Sequence, residues 1–236
     1  MRMPPDLWPR TSFLGALDGP TRNALLRLGR VKTYGSGQAV VHQGDPGEAV
    51  FLLLTGRVNV HATVENGAET LLAIRHPGDI LGEMAVFGDM PRTATVTVRV
   101  PATLLVVAGE AFKHFVGTQP SAAVALTANT AERLRQANIF RADAAGYEVD
   151  QRLARAVLYQ VQRSASVVGG HWAADLRQAE LAMLIGAKEG TVQKAIAAMK
   201  ELVVSRRGRV VILDVAGLAA LADMDAPDHL LGTPPR

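Results

Sequence analysis

The chain has no cysteine, which excludes disulfides, thiolate metal sites and cysteine-ligated iron–sulfur clusters. Aromatic residues make up only 5% of the sequence, so the cores are expected to be aliphatic. No apolar run approaches the roughly 20 residues that a membrane helix needs. Met1 to Arg10 carries prolines and charge where a signal peptide would be apolar, so the expectation is a cytoplasmic protein with no membrane contact. His42, His61, His76 and His114 stand singly, without the His-x-His pair that a small β-barrel metalloenzyme places on one strand. A Walker loop, a nucleophile elbow and a carboxylate pair are also missing, so no catalysis and no metal are expected.

What is present is a globular composition: 48% hydrophobic residues, both charge signs, and 236 residues, enough for two modest domains or one large one. The formal net charge of +3 says less than its distribution. Lys188 to Arg209 holds six basic residues (Lys188, Lys194, Lys200, Arg206, Arg207, Arg209) and two acidic ones (Glu189, Glu201), an excess larger than that of the whole chain. A local basic patch on a near-neutral body is the footprint of contact with a phosphate backbone.

Pro20 to Leu28 has apolar residues at helical spacing. Beyond it, Val31, Val40, Val41, Val50 to Leu54, Val58, Val60 and Leu71 to Ile74 form short runs punctuated by Gly35, Gly37, Gly44, Gly47, Gly56 and Gly67. Such spacing predicts an antiparallel sandwich or barrel, with Asn66-Gly67 as a hairpin turn and further strands at Ala94–Val100 and Leu104–Val107. Gly78 to Val98 carries the densest chemistry. Gly82 permits close approach to the backbone, Glu83 offers an acceptor for a ribose hydroxyl, consecutive amides suit a phosphate, and Arg92 follows the Pro91 turn with a guanidinium fork. A solvated surface pair of Glu83 and Arg92 is the plainer alternative.

Gly82-Glu83-Met84-Ala85 followed by Pro91-Arg92-Thr93-Ala94 resembles the phosphate-binding cassette of cyclic-nucleotide-binding domains, and the downstream sequence resembles the helix-turn-helix of the CRP/FNR family of bacterial transcription regulators. The resemblance implies an α+β protein in three parts: an N-terminal antiparallel, jelly-roll-like β-roll (1–120), a long dimerisation helix with a hinge (121–146), and a C-terminal winged helix-turn-helix domain (147–224). A loose tail (225–236) follows. It also implies that Gly82 and Glu83 face the ribose, that Met84 and Ala85 donate amides, that Arg92 holds the cyclic phosphate and that Thr93 adds a hydroxyl. The ligand would be cAMP or cGMP, acting allosterically. The partners would be double-stranded DNA, a second copy of the chain and RNA polymerase. Oxygen sensing by a cysteine-held cluster, known in one branch of the family, is excluded by the lack of cysteine.

Ser121 to about Ala145 contains no Pro or Gly and predicts one long helix. Its seam would fall at Ala123, Thr127, Thr130, Leu134, Ala137 or Asn138, and Arg141, small and polar for a coiled coil. Asn138 falls where the family places a hydroxyl that reaches the base; the alternative is a solvent-exposed amide. Gly146 to Asp150 reads as the hinge, and Val149 to Gln162 as an amphipathic helix.

Arg177 to Ile196 has the pattern of two helices around Gly186 and resembles the family's Q-x-E-L-A-x-x-x-G-x-x-x-x-T-V motif. Val203 to Leu213 reads as the wing, with Arg206, Arg207 and Arg209 placed for phosphates. Lys188-Glu189-Gly190 stands where many members have Ser-Arg-Glu, so the usual cap and the usual guanine-reading Arg are missing and Gly190 costs the helix about 1 kcal/mol. Lys188, Glu189, Thr191, Gln193 and Lys194 are the expected DNA-facing residues. Two other functions remain open at this stage: the same regulator answering to a cyclic dinucleotide or to no ligand, and a cupin-type metalloenzyme.

Overall fold

In a computed structural model that describes residues 8–163 and 166–231, the N-terminal unit (Met1–Ala137) opens with two short helices, α1 (Phe13–Ala16) and α2 (Gly19–Leu26). Asp18 caps α2: its carboxylate accepts from the Thr21 amide at 2.8 Å and hydroxyl at 2.9 Å, which holds its pKa below the usual carboxylate range. Strands β1 (Arg30–Tyr34), β2 (Ala39–Val41), β3 (Ala49–Thr63), β4 (Glu69–Arg75), β5 (Ile80–Leu81) and β6 (Thr95–Ala108) form one antiparallel sheet. Its main path runs β1-β6-β3-β4, with β2 on β6 and β5 on β3.

The run Val50–Leu54 is apolar throughout because both faces of β3 are covered. Val50, Leu52 and Leu54 join a cluster with Phe13, Leu25 and Phe112, while Phe51 and Leu53 join a second cluster with Tyr34, Val58, Val98 and Leu104. The first cluster corrects the expectation of a purely aliphatic core. Trp8, Phe13, Phe112 and Phe115 concentrate there, with Phe13 edge-on to Phe112 at 6.1 Å.

The breaks read at Gly56 and between Val100 and Leu104 are bulges inside two long strands. Register shifts occur between Leu53 and Val58 of β3 against β6, and Gly56 has φ 86°. Pro101 sits in β6 at that bend, where no ladder amide is required of it. The Asn66-Gly67 turn joins β3 to β4 as the sequence predicts, with the Val64 amide on Ala68 O at 2.9 Å.

Two helices complete this unit: α3 (Glu83–Gly88), between β5 and β6, and α4 (Gly109–Thr118), after β6. Helix α5 (Pro120–Gly146) begins here, with Pro at its first position. Its last turns belong to the C-terminal unit, Asn138–Arg236. There α6 (Val149–Arg163) precedes β7 (Ser166–Val168) and β8 (His171–Ala174). Helices α7 (Gln178–Ile185) and α8 (Glu189–Ala198), strands β9 (Val203–Arg206) and β10 (Arg209–Ile212), and helices α9 (Val215–Leu221) and α10 (Asp228–Leu231) follow. The second sheet has the order β7-β8-β10-β9.

Two readings change in this unit. The elbow after α5 is pinned: Arg155 pairs with Asp143 at 2.8 Å, donates to Ala222 O at 2.9 Å and lies 4.6 Å from the centroid of the Tyr147 ring. The segment read as a loose tail contains α10, whose Leu230 is buried and accepts from Trp172 Nε1 at 3.1 Å; residues 232–236 lie outside the described residues.

Candidate functional site

The cassette folds as β5, a left-handed Gly82 (φ 79°), the short helix α3 and an extended return to β6, which starts at Thr95. Gly82 is required twice. Its φ favours glycine, and a Cβ there would overlap Arg92 Nη1.

Arg92 is fixed at both levels. Its amide donates to Asp45 O and its carbonyl accepts from the Gly44 amide, both at 2.8 Å, so the β2–β3 loop clasps its backbone. Its side chain is 5% exposed. Nη1 donates to Gly82 O at 2.8 Å, Nη2 donates to Ala49 O at 2.7 Å, and the guanidinium carbon lies 5.7 Å from the centroid of the Phe51 ring. Nε is buried without an acceptor. Burial lowers the pKa of the guanidinium, opposed by the fields of Asp45, Glu83 and Glu48. No carboxylate pairs with it among the described residues. Arg92 is thus a buried cation whose close contacts among the described residues are two carbonyl dipoles and the Phe51 ring, with Asp45, Glu83 and Glu48 acting on it through their fields.

Glu83, 7% exposed, does not pair with Arg92. Arg133 of α5 donates to its Oε1 at 2.5 Å and to Ile80 O at 2.6 Å. The solvated Glu83–Arg92 surface pair is therefore ruled out: both side chains are buried and each has other partners. Sequence reasoning missed Arg133. Its signal was the spacing Ala122, Ala125, Asn129, Arg133 and Gln136 along α5, one face every three or four residues, on which Ala122, Ala125, Asn129 and Gln136 are buried.

The remaining cassette residues divide. Ala85 is buried, whereas Met84 is 58% exposed and Thr93 is exposed. The amides of Met84 and Ala85 fall in the first turn of α3, where no intrahelical acceptor exists. Asn138 is exposed on α5. A cavity of about 460 Å³ is lined by Glu83, Met84 and Phe87 together with Leu126, Thr127, Thr130, Ala131 and Leu134 of α5. Another of about 560 Å³ lies against Gly47, Glu48, Ala85, Asp89 and Lys113. Arg92 lines neither. Among the described residues no three His, Asp or Glu side chains converge as a metal site would need.

In the C-terminal unit α7 and α8 meet around Gly186, which is left-handed (φ 64°). Glu180 accepts from the Arg177 amide at 2.8 Å and closes the start of α7. Lys188 precedes α8 without a side-chain cap, as the sequence suggests. Val192, Ile196 and Met199 are buried, so α8 presents Gly190, Gln193, Lys194 and Ala197 outward, with Glu189 and Thr191 also exposed. The turn joining β9 to β10 has Arg207 and Gly208 both at positive φ, the conformation of a two-residue hairpin. Arg206 and Arg207 are exposed, whereas Arg209 is partly buried and lies 3.4 Å from Asp175.

The sequence matches the family described as "Cyclic nucleotide-binding domain" over residues 31–119 and that described as "Crp-like helix-turn-helix domain" over residues 151–221. It is 32% identical to the CRP-like cAMP-activated global transcriptional regulator of Mycobacterium tuberculosis over 163 residues, 68% of this chain and 73% of that protein. It is 29% identical to the cyclic AMP receptor protein of Thermus thermophilus, over 75% of this chain and 80% of that one. The fold is shared with the c-di-GMP responsive regulator CLP of Xanthomonas campestris, at TM-score 0.72 and 21% identity over 84% of this chain and all of that one. No helix among the described residues is long and apolar enough to cross a membrane.

Proposed function

The chain belongs to the CRP/FNR family of transcription regulators, and from that premise we propose that a cyclic mononucleotide, cAMP before cGMP, binds at Arg92 and Glu83 and raises affinity for DNA. One observation carries this reading: Arg92 is buried beside Gly82 with no paired carboxylate among the described residues and an Nε–H without an acceptor. A cation held that way is stabilised by an anion that takes up its remaining donors, and a cyclic phosphate brings one charge and planar-matched oxygens. The amides of Met84 and Ala85 add donors, Thr93 adds a hydroxyl, and Glu83 is left to accept from the ribose. Gly82 leaves room for the Arg92 guanidinium to lie against the Gly82 carbonyl.

Glu83 is already held by Arg133 of α5, so a ribose on Glu83 acts on a bond that ties the cassette to the long helix. The effect on DNA binding follows only if the nucleotide prefers the DNA-competent arrangement. The exposed stripe of Val124, Thr127, Ala131 and Leu134 on α5, continued by Met84 and Phe87, is the face we assign to a second copy. DNA is met by Glu189, Thr191, Gln193 and Lys194 of α8, with Lys188, Arg206, Arg207 and Arg209 at phosphates. RNA polymerase is a further partner on the family resemblance, and no residue is assigned to it.

The test is DNA binding by fluorescence anisotropy on a selected duplex, with and without cAMP, cGMP or c-di-GMP. A gain with cAMP that Arg92→Ala abolishes, while nucleotide-free binding persists, is the expected result. A gain that survives Arg92→Ala, or one given only by the dinucleotide, overturns the assignment.

A further inference from the structure

Gly190 has no internal reason to be glycine. It lies in α8 with a negative φ, it is exposed, and a Cβ built on it meets nothing within 4 Å. Alanine would favour the helix there, by less than the roughly 1 kcal/mol of a helix interior because Gly190 is the second residue of α8. The same outward face continues through Gln193 and Lys194 to Ala197, spaced three, four and seven residues on, and ends in a second small side chain. From Gly190 to Ala197 the helix rises about 10 Å, roughly three base-pair steps. The face is therefore low at both ends, with one planar amide and one point charge between.

Resting on the DNA-binding reading above, we infer that α8 reads an A·T base pair in the major groove. Gln193 is bidentate to the adenine, a thymine methyl packs on Ala197, and bare Gly190 lets the helix backbone approach the base edges. An amide matches the N6–H donor and N7 acceptor that adenine alone presents together in that groove, and a methyl side chain is the complement of the thymine C5-methyl group. The space into which a Cβ at position 190 would point is, on this account, filled by DNA. That explains why the chain keeps a residue that weakens its own helix.

The experiment selects duplexes from a random library with the full-length protein, in parallel with cAMP, cGMP, c-di-GMP and no nucleotide. The selected duplex is then remade with uracil for thymine, which removes only the methyl group. We expect an A·T pair in each half-site whose preference falls about tenfold or more in Gln193→Ala. Uracil at the pair facing Ala197 weakens binding several-fold in the natural protein and has no effect in Ala197→Gly. Gly190→Ala and Gly190→Leu raise the melting temperature and weaken binding to the selected duplex. A selected site whose preferences are unchanged by Gln193→Ala, or Gly190 variants that gain stability at unchanged affinity, overturn this inference and leave the regulator reading intact. Failure to enrich any sequence in all four arms overturns both.

Discussion

In the β-roll unit Arg92 and Arg133 donate to main-chain carbonyls, the first buried and the second largely so, whereas in the winged unit Arg206 and Arg207 stand in solvent at the end of β9 and in the turn that follows it. The difference follows from the two kinds of anion. A single small anion is distinguished from its competitors by fixed donors in a water-poor site, where each hydrogen bond is strong and each unpaired charge expensive. A polyanion needs only exposed cations at the right spacing, since binding draws on counterion release more than on geometry. Arg209, partly buried against Asp175, lies between the two regimes.

That contrast can be broken at several points. The largest effect is expected at Arg133: Arg133→Ala leaves Glu83 buried without its partner and should lower stability by about 3 kcal/mol or more, read from urea or thermal unfolding of the β-roll transition. A loss below 1 kcal/mol would place the pair with ordinary surface bridges. Gly82→Ala comes next. A left-handed alanine costs about 1–3 kcal/mol, and the displaced guanidinium weakens nucleotide binding as well, so melting and calorimetry should move together. Arg155→Ala, at the elbow, should cost a comparable amount in the winged unit's transition, because it strands Asp143 and frees Ala222 O. Arg206→Ala and Arg207→Ala should each leave stability unchanged and reduce the slope of log K against log salt by roughly 0.9. The smallest change is expected for Arg209→Ala, whose charge is shared with Asp175; a slope change equal to that of Arg207→Ala would show the pair opening on DNA.

Much of this was legible in residue types. Gly82 and Arg92 signal the cassette because each does something no other residue does there, and the Gly186 turn and the basic wing are local patterns of the same kind. What stayed hidden is long-range or depends on register. Arg133 lies 50 residues from Glu83, and nothing in either local sequence announces the other. Gly56 and Pro101 look like strand ends; only the pairing of β3 with β6 shows that they face one another across a bend, where a Cβ on Gly56 would overlap the carbonyl of Pro101. Asp175 likewise modifies Arg209 from another strand connection, and Leu230 is tied to Trp172 across 58 residues.

Central to the proposed function is Arg92 as the group that binds an anionic nucleotide in the β-roll. Calorimetric titration of the full-length protein with cAMP tests it most directly, beside Arg92→Ala and the neutral-partner variant Glu83→Gln. The account predicts saturable binding at one nucleotide per chain, weakened by at least about a hundredfold in Arg92→Ala and less in Glu83→Gln. Equal affinity in the natural protein and Arg92→Ala would contradict it.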